Sequence, residues 1–359
     1  MRTKRIVTIG GGTGSFTLLQ GLKQYPFHLS AIVSMADDGG STGVLRDELG
    51  VLPPGDVRQC LVALSESSEK MRELMNYRFD NGGLKGHSFG NLLLSALEKM
   101  EGSFSEGVRR AMEILNVRGE VIPVTDEDAH LEMILSDGTQ LEGESEINHA
   151  ETIQKVGIGK FSFEKPVKAS ALALRRISEA DAIVIGPGNF YCSLLPNVLV
   201  RGCREAIRTS RARVIFVANL TNKRGHTSGW DVDDSVRELE RYIGRGRVDF
   251  VIWNRKKPAK KLIQKYEEQE GKDMLVGFSP EKLPKRTYRV VRANVVSDRL
   301  PLAQKGDTIA ATRAFIRHDS DRLAQAIAFL VDLDSNKEVV HDIRPVAKHQ
   351  NPAILKRYP

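Results

Sequence analysis

Residues 6–15 read Ile6-Val7-Thr8-Ile9-Gly10-Gly11-Gly12-Thr13-Gly14-Ser15, an apolar strand that runs into a glycine-rich turn. The apolar-rich residues 16–22 follow and predict a helix that begins near Ser15. Glycines let a backbone approach an anion closely, and the N–H groups at the start of a helix point toward the same place. The stretch therefore predicts a strand–turn–helix unit of an α/β fold whose turn binds phosphate. The predicted ligand-binding residues of this turn are Gly11, Gly12, Thr13 and Gly14.

The residues of the turn argue against two common classes of nucleotide-binding protein. A Walker-A loop needs a lysine that reaches the outer phosphates, and Gly14-Ser15-Phe16 supplies none. A dinucleotide fingerprint counted from Gly10 would need its third glycine where Ser15 stands, which disfavours a nicotinamide dehydrogenase. A tight strand-to-helix turn without any ligand remains an alternative for this segment taken alone.

A second loop of the same kind follows the next apolar run, residues 29–35. It reads Ala36-Asp37-Asp38-Gly39-Gly40-Ser41-Thr42-Gly43. Parallel sheets bind ligands outside the carboxyl ends of their strands, so two such loops are expected to form one crevice. Asp37 and Asp38 are candidates for ribose binding, for Mg²⁺ binding or for a general base, and Ser41 and Thr42 are candidate ligand residues. The alternative is an Asx-type turn with two solvated carboxylates.

Composition sets the outer limits of the function. The chain has 359 residues, 41% of them hydrophobic, and a formal net charge of +7. This modest positive surplus suits an anionic small ligand, and the scattered basic residues predict no nucleic-acid binding. No apolar run is long enough for a membrane span and no signal-peptide pattern is present, so we predict a cytoplasmic protein. The 3 cysteines show no disulfide or zinc spacing.

The hydrophobic period alternates between short β-rich runs and helical stretches. This alternation predicts a Rossmann-like, doubly wound, mostly parallel sheet with a small antiparallel β insertion. Residues 120–144 are predicted to form three antiparallel strands within an insertion at about 118–165, and residues 195–208 to form one helix. A single α/β domain is expected over residues 1–333, with a polar, basic tail at 334–359.

Two segments between the strands add candidate ligand residues. Gly86-His87-Ser88-Phe89-Gly90 matches the nucleophile elbow of serine hydrolases, but a polar loop precedes it where a strand is required. We instead predict a loop that caps the following helix, with His87, Ser88 and Asn91 offering donors to a phosphate or sugar. Asp56 stands near another helix start and Arg58 in its first turn, where the arginine opposes the helix dipole. Arg58 is therefore interpreted as an anion-binding residue or, alternatively, a solvated one.

The second half of the chain repeats the pattern of a strand followed by a polar loop. Residues 182–189 end in Gly186-Pro187-Gly188-Asn189, a third glycine turn after a buried strand. After the next strand, Asn219 and Thr221 supply amide and hydroxyl groups suited to a base or sugar edge. A polar surface loop is the alternative for this last segment. The added candidate ligand residues are Gly186, Gly188, Asn189, Asn219 and Thr221.

Taken together, these motifs resemble the gluconeogenesis-factor (YvcK-like) branch of the CofD-like superfamily. The resemblance runs over nearly the whole chain to about Leu333 and includes Ile316-Arg317-His318-Asp319. It implies a Rossmann-like fold with a crevice for a nucleotide-bearing ligand. The YvcK-like branch is associated with UDP-sugars such as UDP-N-acetylglucosamine, and with cell shape and cell-wall synthesis during gluconeogenic growth. The related CofD branch contains 2-phospho-L-lactate transferases, which use a guanylylated donor and Mg²⁺.

By this resemblance, the turns at 11–14 and 186–189 would hold phosphates, Asp37 and Asp38 would lie beside them, and Arg317 would assist a nucleotide sugar. His226 stands where the family often has an acid, a departure that would favour a more phosphorylated ligand. A UDP-sugar-binding regulator is favoured over a phospholactyl-type transferase, in which Asp37 or Asp38 would position Mg²⁺ or act as a base. A homodimer and protein partners in cell-wall synthesis are further expectations.

Overall fold

The computed structural model describes residues 2–298 and 315–333, and the predicted tail at 334–359 lies outside the described residues. Its strands are β1 (Arg5–Gly10), β2 (His28–Val33), β3 (Glu120–Pro123), β4 (Leu131–Leu135), β5 (Gln140–Glu142), β6 (Ile158–Phe163), β7 (Ala182–Ile185), β8 (Arg213–Val217), β9 (Phe250–Asn254) and β10 (Arg289–Ala293).

The helices are α1 (Gly12–Leu22), α2 (Gly40–Leu49), α3 (Gly55–Leu64), α4 (Glu69–Asn76), α5 (Phe89–Glu101), α6 (Phe104–Ile114), α7 (Gly143–His149), α8 (Ile153–Val156), α9 (Ala171–Glu179), α10 (Leu195–Leu199), α11 (Cys203–Thr209), α12 (Val232–Ile243), α13 (Lys260–Glu270) and α14 (Ser320–Val331). A π turn at Phe190–Leu194 precedes α10, and a 3₁₀ turn spans Pro280–Lys285.

Seven strands form one parallel sheet in the order β10-β9-β8-β7-β1-β2-β3. The two central strands, β1 and β7, are almost fully buried because helices flank the sheet. The predicted doubly wound, Rossmann-like sheet is confirmed.

The direction in which the sheet grows changes between β1 and β7. From β1 the chain adds β2 and β3 on one side, and from β7 it adds β8, β9 and β10 on the other. In open α/β sheets, such a reversal leaves a crevice at the carboxyl ends of the two strands, where ligands bind. The glycine turns that follow β1 and β7 lie at this position.

A second, antiparallel sheet has the order β5-β4-β6. It confirms the small antiparallel insertion, but the assignment of residues 120–124 to it was wrong. That segment forms β3, which pairs in parallel with β2 at the edge of the main sheet. The third antiparallel strand is β6. The apolar pattern of residues 120–124 could not distinguish the two sheets, because a short buried strand at a sheet edge has the same spacing of apolar residues in either one.

The prediction of a single helix over residues 195–208 is also wrong, because two separate helices, α10 and α11, form there. Gly202 lies between them with a φ of 100°, a left-handed conformation that favours glycine and stops helix propagation. Within the described ranges, no helix has the length and apolar character that a membrane span requires.

Candidate functional site

A cavity of about 580 Å³ lies at the carboxyl ends of β1, β7 and β8. This volume falls within the range of about 300–1,000 Å³ typical of small-molecule sites. The turn after β1, the turn after β7 and the long loop after β8 supply most of the wall, and the end of α7, the end of α13 and the segment 316–318 complete it. The cavity therefore occupies the switch point of the sheet.

The glycine turns that follow β1 and β7 touch each other at the base of the cavity. A Cβ atom added to Gly14 would lie 2.0 Å from the carbonyl oxygen of Pro187, so only a glycine permits this approach. Gly11 is the N-cap of α1 and, as a glycine, brings no capping side chain of its own. The first N–H groups of α1 and the positive end of its dipole thus border the cavity, an arrangement suited to an anion.

Asn219 ties the loop after β8 to the turn after β7. Its Oδ1 accepts a hydrogen bond from the Gly188 N–H at 3.1 Å, and its Nδ2 donates to the Gly188 carbonyl at 2.8 Å. Because both ends of the amide are engaged, Asn219 acts mainly as a positioning residue for the cavity wall.

Lys223 brings a positive charge to the wall. Its Nζ donates to Oδ1 of Asn148 at the end of α7, and the same oxygen accepts from Nδ2 of Asn189 at 2.8 Å. Burial lowers the pKa of Lys223, while the nearby Cys192 and Glu144 oppose that shift. Lys223, Asn148 and Asn189 therefore form a linked polar group at the cavity wall, with an ammonium suited to hydrogen-bond an anion.

Farther along the wall, the polar side chains are already paired. Oγ1 of Thr221 donates to the hydroxyl of Tyr266 at 2.9 Å. Arg224 forms an ion pair with Glu151 at 3.2 Å, and both side chains are more than half exposed. Such exposed pairs contribute little to stability, so Arg224 is available to move toward a ligand.

Two buried histidines also line the cavity. Burial lowers the pKa of His226 to about 4, with a further contribution from Lys223, and burial lowers the pKa of His318 to about 4. Both imidazoles are therefore neutral at pH 7. A neutral ring in place of an acid still leaves the wall less anionic, so the expectation that His226 favours a more phosphorylated ligand stays a prediction.

About half of the predicted ligand residues line the cavity, together with other residues that were not predicted. The predicted residues that line it are Gly11, Gly12, Thr13, Gly14, Gly188, Asn189, Asn219, Thr221 and Arg317. Lining residues that were not predicted as ligand-binding include Asn148, His149, Lys223, Tyr266 and His318. Lys223 and His318 belong to segments that the sequence analysis had already named as candidates for ligand binding. No motif in the sequence around Asn148 or Tyr266 indicates a binding site. The predicted residues that do not line it are Asp37, Asp38, Ser41, Thr42, Asp56, Arg58, His87, Ser88, Asn91 and Gly186.

Asp37 and Asp38 hold local structure instead of lining the cavity. The two carboxylate oxygens of Asp38 accept hydrogen bonds from the N–H groups of Glu144 and Ser145 at 2.9 and 2.7 Å, which fixes the start of α7. Asp37 accepts from the Gly39 N–H at 3.0 Å. The Asx-turn alternative describes Asp37 correctly, and both aspartates are partly buried.

Arg58 is buried and hydrogen-bonded within the protein. Its Nε donates to Oδ1 of Asn91 at 2.9 Å, and its Nη1 donates to Asn76. Ser88 caps α5, as predicted, by accepting from the Asn91 N–H at 3.3 Å, and Nδ1 of His87 lies 2.9 Å from Oγ of Ser41. These groups are hydrogen-bonded to one another within the protein, and ligand binding by any of them stays a prediction.

A cluster of carboxyl groups lies behind the glycine turn. Burial and the negative charge of Asp37 raise the pKa of Glu144 to about 8, and Asp56 and Asp38 contribute to the same shift. Burial also raises the pKa of Asp37. Across the described part of the chain, no group of three or more side chains has the arrangement of a metal site. Mg²⁺ binding by Asp37 and Asp38 stays a prediction, and their engaged oxygens do not favour it.

The sequence and the fold were compared with known proteins. The family described as 2-phospho-L-lactate transferase CofD matches residues 6–296. A curated protein of Thermotoga maritima is 41% identical over 325 residues, which cover 90% of this chain and 98% of that protein. The Bacillus subtilis protein named "Gluconeogenesis factor" is 35% identical over 331 residues, with 92% and 98% covered. A crystal structure of a Bacillus halodurans protein of the UPF0052 family superposes with a TM-score of 0.81 at 36% identity, covering 91% of this chain and 99% of that one.

The fold is that of a Rossmann-like protein with a cavity at the switch point of its sheet. The chain belongs to the CofD-like family, and its curated relatives place it in the branch of gluconeogenesis factors. The resemblance inferred from the glycine and aspartate motifs is confirmed.

Proposed function

We propose that this protein binds a UDP-sugar of the UDP-N-acetylglucosamine type in the switch-point cavity and acts as a cytoplasmic regulator. The observation that carries the proposal is the convergence of the turns at 11–14 and 187–189 beside Lys223. The choice of a UDP-sugar, and a role in cell shape and cell-wall synthesis, come from the resemblance to the YvcK-like branch. A homodimer and cell-wall-synthesis partners stay predictions.

The electrostatics of the cavity support a diphosphate next to the glycine turns. The start of α1 offers N–H groups and a positive dipole end, and Lys223 adds a basic side chain. The rest of the wall offers uncharged donors and acceptors, such as Asn148, Asn189 and Thr221, that suit a sugar or a base. The cavity thus offers a positively charged surface for the diphosphate of a nucleotide sugar and an uncharged polar surface for its sugar or base.

Binding without catalysis is favoured because the carboxylates proposed for chemistry are committed elsewhere. The Asp38 oxygens hold the start of α7, and Asp37 is bonded to the Gly39 N–H. A general base must reach the proton that it removes, within about 3 Å or through one water. Neither aspartate lines the cavity, so a phospholactyl-type transfer would require another base or a rearrangement of this loop.

The experiment is a calorimetric titration of the purified protein with UDP-N-acetylglucosamine, and separately with a guanylylated donor plus Mg²⁺. Product formation is assayed in the same samples. We expect saturable binding of the UDP-sugar, with the ligand recovered unchanged. Turnover of the guanylylated donor would favour the transferase alternative, and a lack of UDP-sugar binding would refute the proposal.

Replacing Lys223 with methionine is expected to weaken UDP-N-acetylglucosamine binding roughly 10- to 150-fold, because a charge-assisted hydrogen bond to phosphate contributes about 1.5–3 kcal/mol. The salt dependence of the dissociation constant should also become shallower. Lys99→Met, at an exposed position on α5, serves as the matched control and should bind as the wild type does. Equal affinity of Lys223→Met and wild type would place the phosphates away from this ammonium.

A further inference from the structure

We propose that Oδ1 of Asn148 holds the ammonium of Lys223 and the amide of Asn189 in position for the phosphates of the ligand. Asn148 is thus a positioning residue that the antiparallel insertion supplies to a site built on the main sheet. The inference rests on the proposed function for its probes, UDP-N-acetylglucosamine and UDP. Its grounds are one shared acceptor oxygen, the hydrogen bonds that fix α7 and its neighbouring chain, and the match of a neutral acceptor to a cation.

Oδ1 of Asn148 is a shared acceptor for two side chains that line the cavity. Nζ of Lys223 donates to it, and Nδ2 of Asn189 donates to it at 2.8 Å. The orientation of the Asn189 amide is set by its own Oδ1, which accepts from the Cys192 N–H at 3.4 Å. An ammonium has donors only. Both neighbours therefore present N–H groups, and the oxygen of Asn148 is the atom that faces them.

The helix that carries Asn148 is anchored at its start. The Asp38 carboxylate accepts from the N–H groups of Glu144 and Ser145 at 2.9 and 2.7 Å. Gly143, with a φ of 82°, permits this approach, because a Cβ on it would lie 2.2 Å from Oδ2 of Asp38. Asp38 belongs to the loop after β2, so an element of the main sheet fixes the position of α7.

The chain after α7 is hydrogen-bonded to the loop that carries Lys223. The Gln154 N–H donates to the Gly225 carbonyl at 2.8 Å, and Nε2 of Gln154 donates to the Ser228 carbonyl at 2.6 Å. A Cβ on Gly225 would lie 2.3 Å from Cα of Glu151, so the two backbones are in close contact. The insertion and the loop after β8 thus pack as one unit, which places the end of α7 beside the ammonium.

A neutral acceptor suits this place better than a carboxylate. A lysine side chain loses rotamer freedom when a ligand orders it. A hydrogen bond to Asn148 orders the side chain in advance and uses one of the three N–H donors of the ammonium. The amide oxygen carries no net charge, so the positive charge stays available to a phosphate, whereas a carboxylate would compete for it. The contribution of Asn148 to affinity should therefore pass through Lys223.

A double-mutant cycle tests this role by calorimetric titration of the full chain with UDP-N-acetylglucosamine and with UDP. Asn148→Ala is expected to weaken binding of both ligands roughly tenfold, because it releases the ammonium. In a Lys223→Met background the same change should cost less than about threefold, since the group that it positions is gone. Asn294→Ala is the matched control. It removes an exposed asparagine that accepts from Nε of Arg255 at 3.0 Å outside the cavity, and it should bind as the wild type does.

The cycle separates positioning from direct contact with the ligand. Equal losses in the two backgrounds would show that Asn148 acts independently of Lys223 and would overturn the inference. A loss confined to UDP-N-acetylglucosamine would also overturn it, because the sugar alone would then sense Asn148. Unchanged affinity of Asn148→Ala for both ligands would do the same. Thermal denaturation verifies that each variant folds.

A second measurement needs no ligand. Asn148→Asp has nearly the same shape, keeps the shared oxygen and adds a negative charge. In protein labelled with ¹³C at the lysine ε-carbon, the NMR signal that is lost in Lys223→Met should titrate with a higher pKa in Asn148→Asp than in wild type, because an adjacent carboxylate stabilises the ammonium. An unchanged pKa would refute the contact. If wild type binds neither UDP nor UDP-N-acetylglucosamine, the proposed function fails, whereas this titration still decides whether Asn148 holds Lys223.

Discussion

Replacing Gly14 with alanine is expected to weaken UDP-N-acetylglucosamine binding at least 100-fold. The new Cβ would lie 2.0 Å from the carbonyl oxygen and 2.7 Å from the carbonyl carbon of Pro187. Both are backbone atoms, so no side-chain rotation relieves the clash and the two glycine turns must separate. A displacement of about 1 Å at a positioned site is enough to lose about two orders of magnitude. Calorimetric titration measures the change.

Gly83→Ala is the matched control for this prediction. No heavy atom lies within 4 Å of a Cβ placed on Gly83, and its backbone is not left-handed. We expect wild-type affinity from it. Alanine stabilises a helix relative to glycine, so a loss in Gly14→Ala cannot come from helix propensity. Wild-type affinity in a folded Gly14→Ala protein would mean that the contact between the turns does not shape the site.

Replacing Glu144 with glutamine is expected to remove a loss of stability that wild type suffers in alkaline solution. The pKa of Glu144 is raised to about 8 by burial and by Asp37, so the folded protein keeps a proton that the unfolded chain releases near 4.5. The stability due to this group is present below pH 4.5 and is lost as the pH rises through 8. The free-energy difference between variant and wild type should change by roughly 3 kcal/mol in favour of the variant between pH 5 and pH 9, allowing for partial exposure.

Denaturant unfolding at several pH values measures this difference. Glu142→Gln changes an exposed glutamate two residues earlier and should show no comparable pH dependence. A constant difference between Glu144→Gln and wild type from pH 5 to pH 9 would show that Glu144 is ionised throughout. Because the end of α7 carries Asn148 to the cavity, alkaline weakening of the Glu144 region should also lower ligand affinity in wild type.

The backbone part of the site was predictable from the sequence because its signal is local. A strand followed by glycines predicts both the turn and its position at the carboxyl end of a parallel sheet. The local motif therefore sufficed to predict that Gly11 to Gly14 and Gly188 lie at the cavity. The side-chain part depends on how distant segments pack. Asn148 reaches the cavity only because Asp38 anchors α7 from another loop, and no periodicity in the insertion encodes that contact.

Asp37 and Arg58, which do not line the cavity, show the limit of the same reasoning. Charged residues next to glycines at strand or helix ends are equally suited to a ligand and to the orphan N–H groups of the protein itself. Arg58 finds Asn91 and Asn76, and Asp37 finds the Gly39 N–H. The sequence shows which hydrogen bonds such groups can make, but the partner that they bind in the folded protein depends on tertiary packing. The same limit applies to β3, whose apolar pattern is compatible with either sheet.

The most direct test of the central claim is a crystal structure of the protein with bound UDP-N-acetylglucosamine. The account predicts the diphosphate between the turns at 11–14 and 187–189, within hydrogen-bond distance of the first N–H groups of α1 and of Nζ of Lys223. A diphosphate bound instead beside Asp37 and Asp38, outside the switch-point cavity, would contradict it.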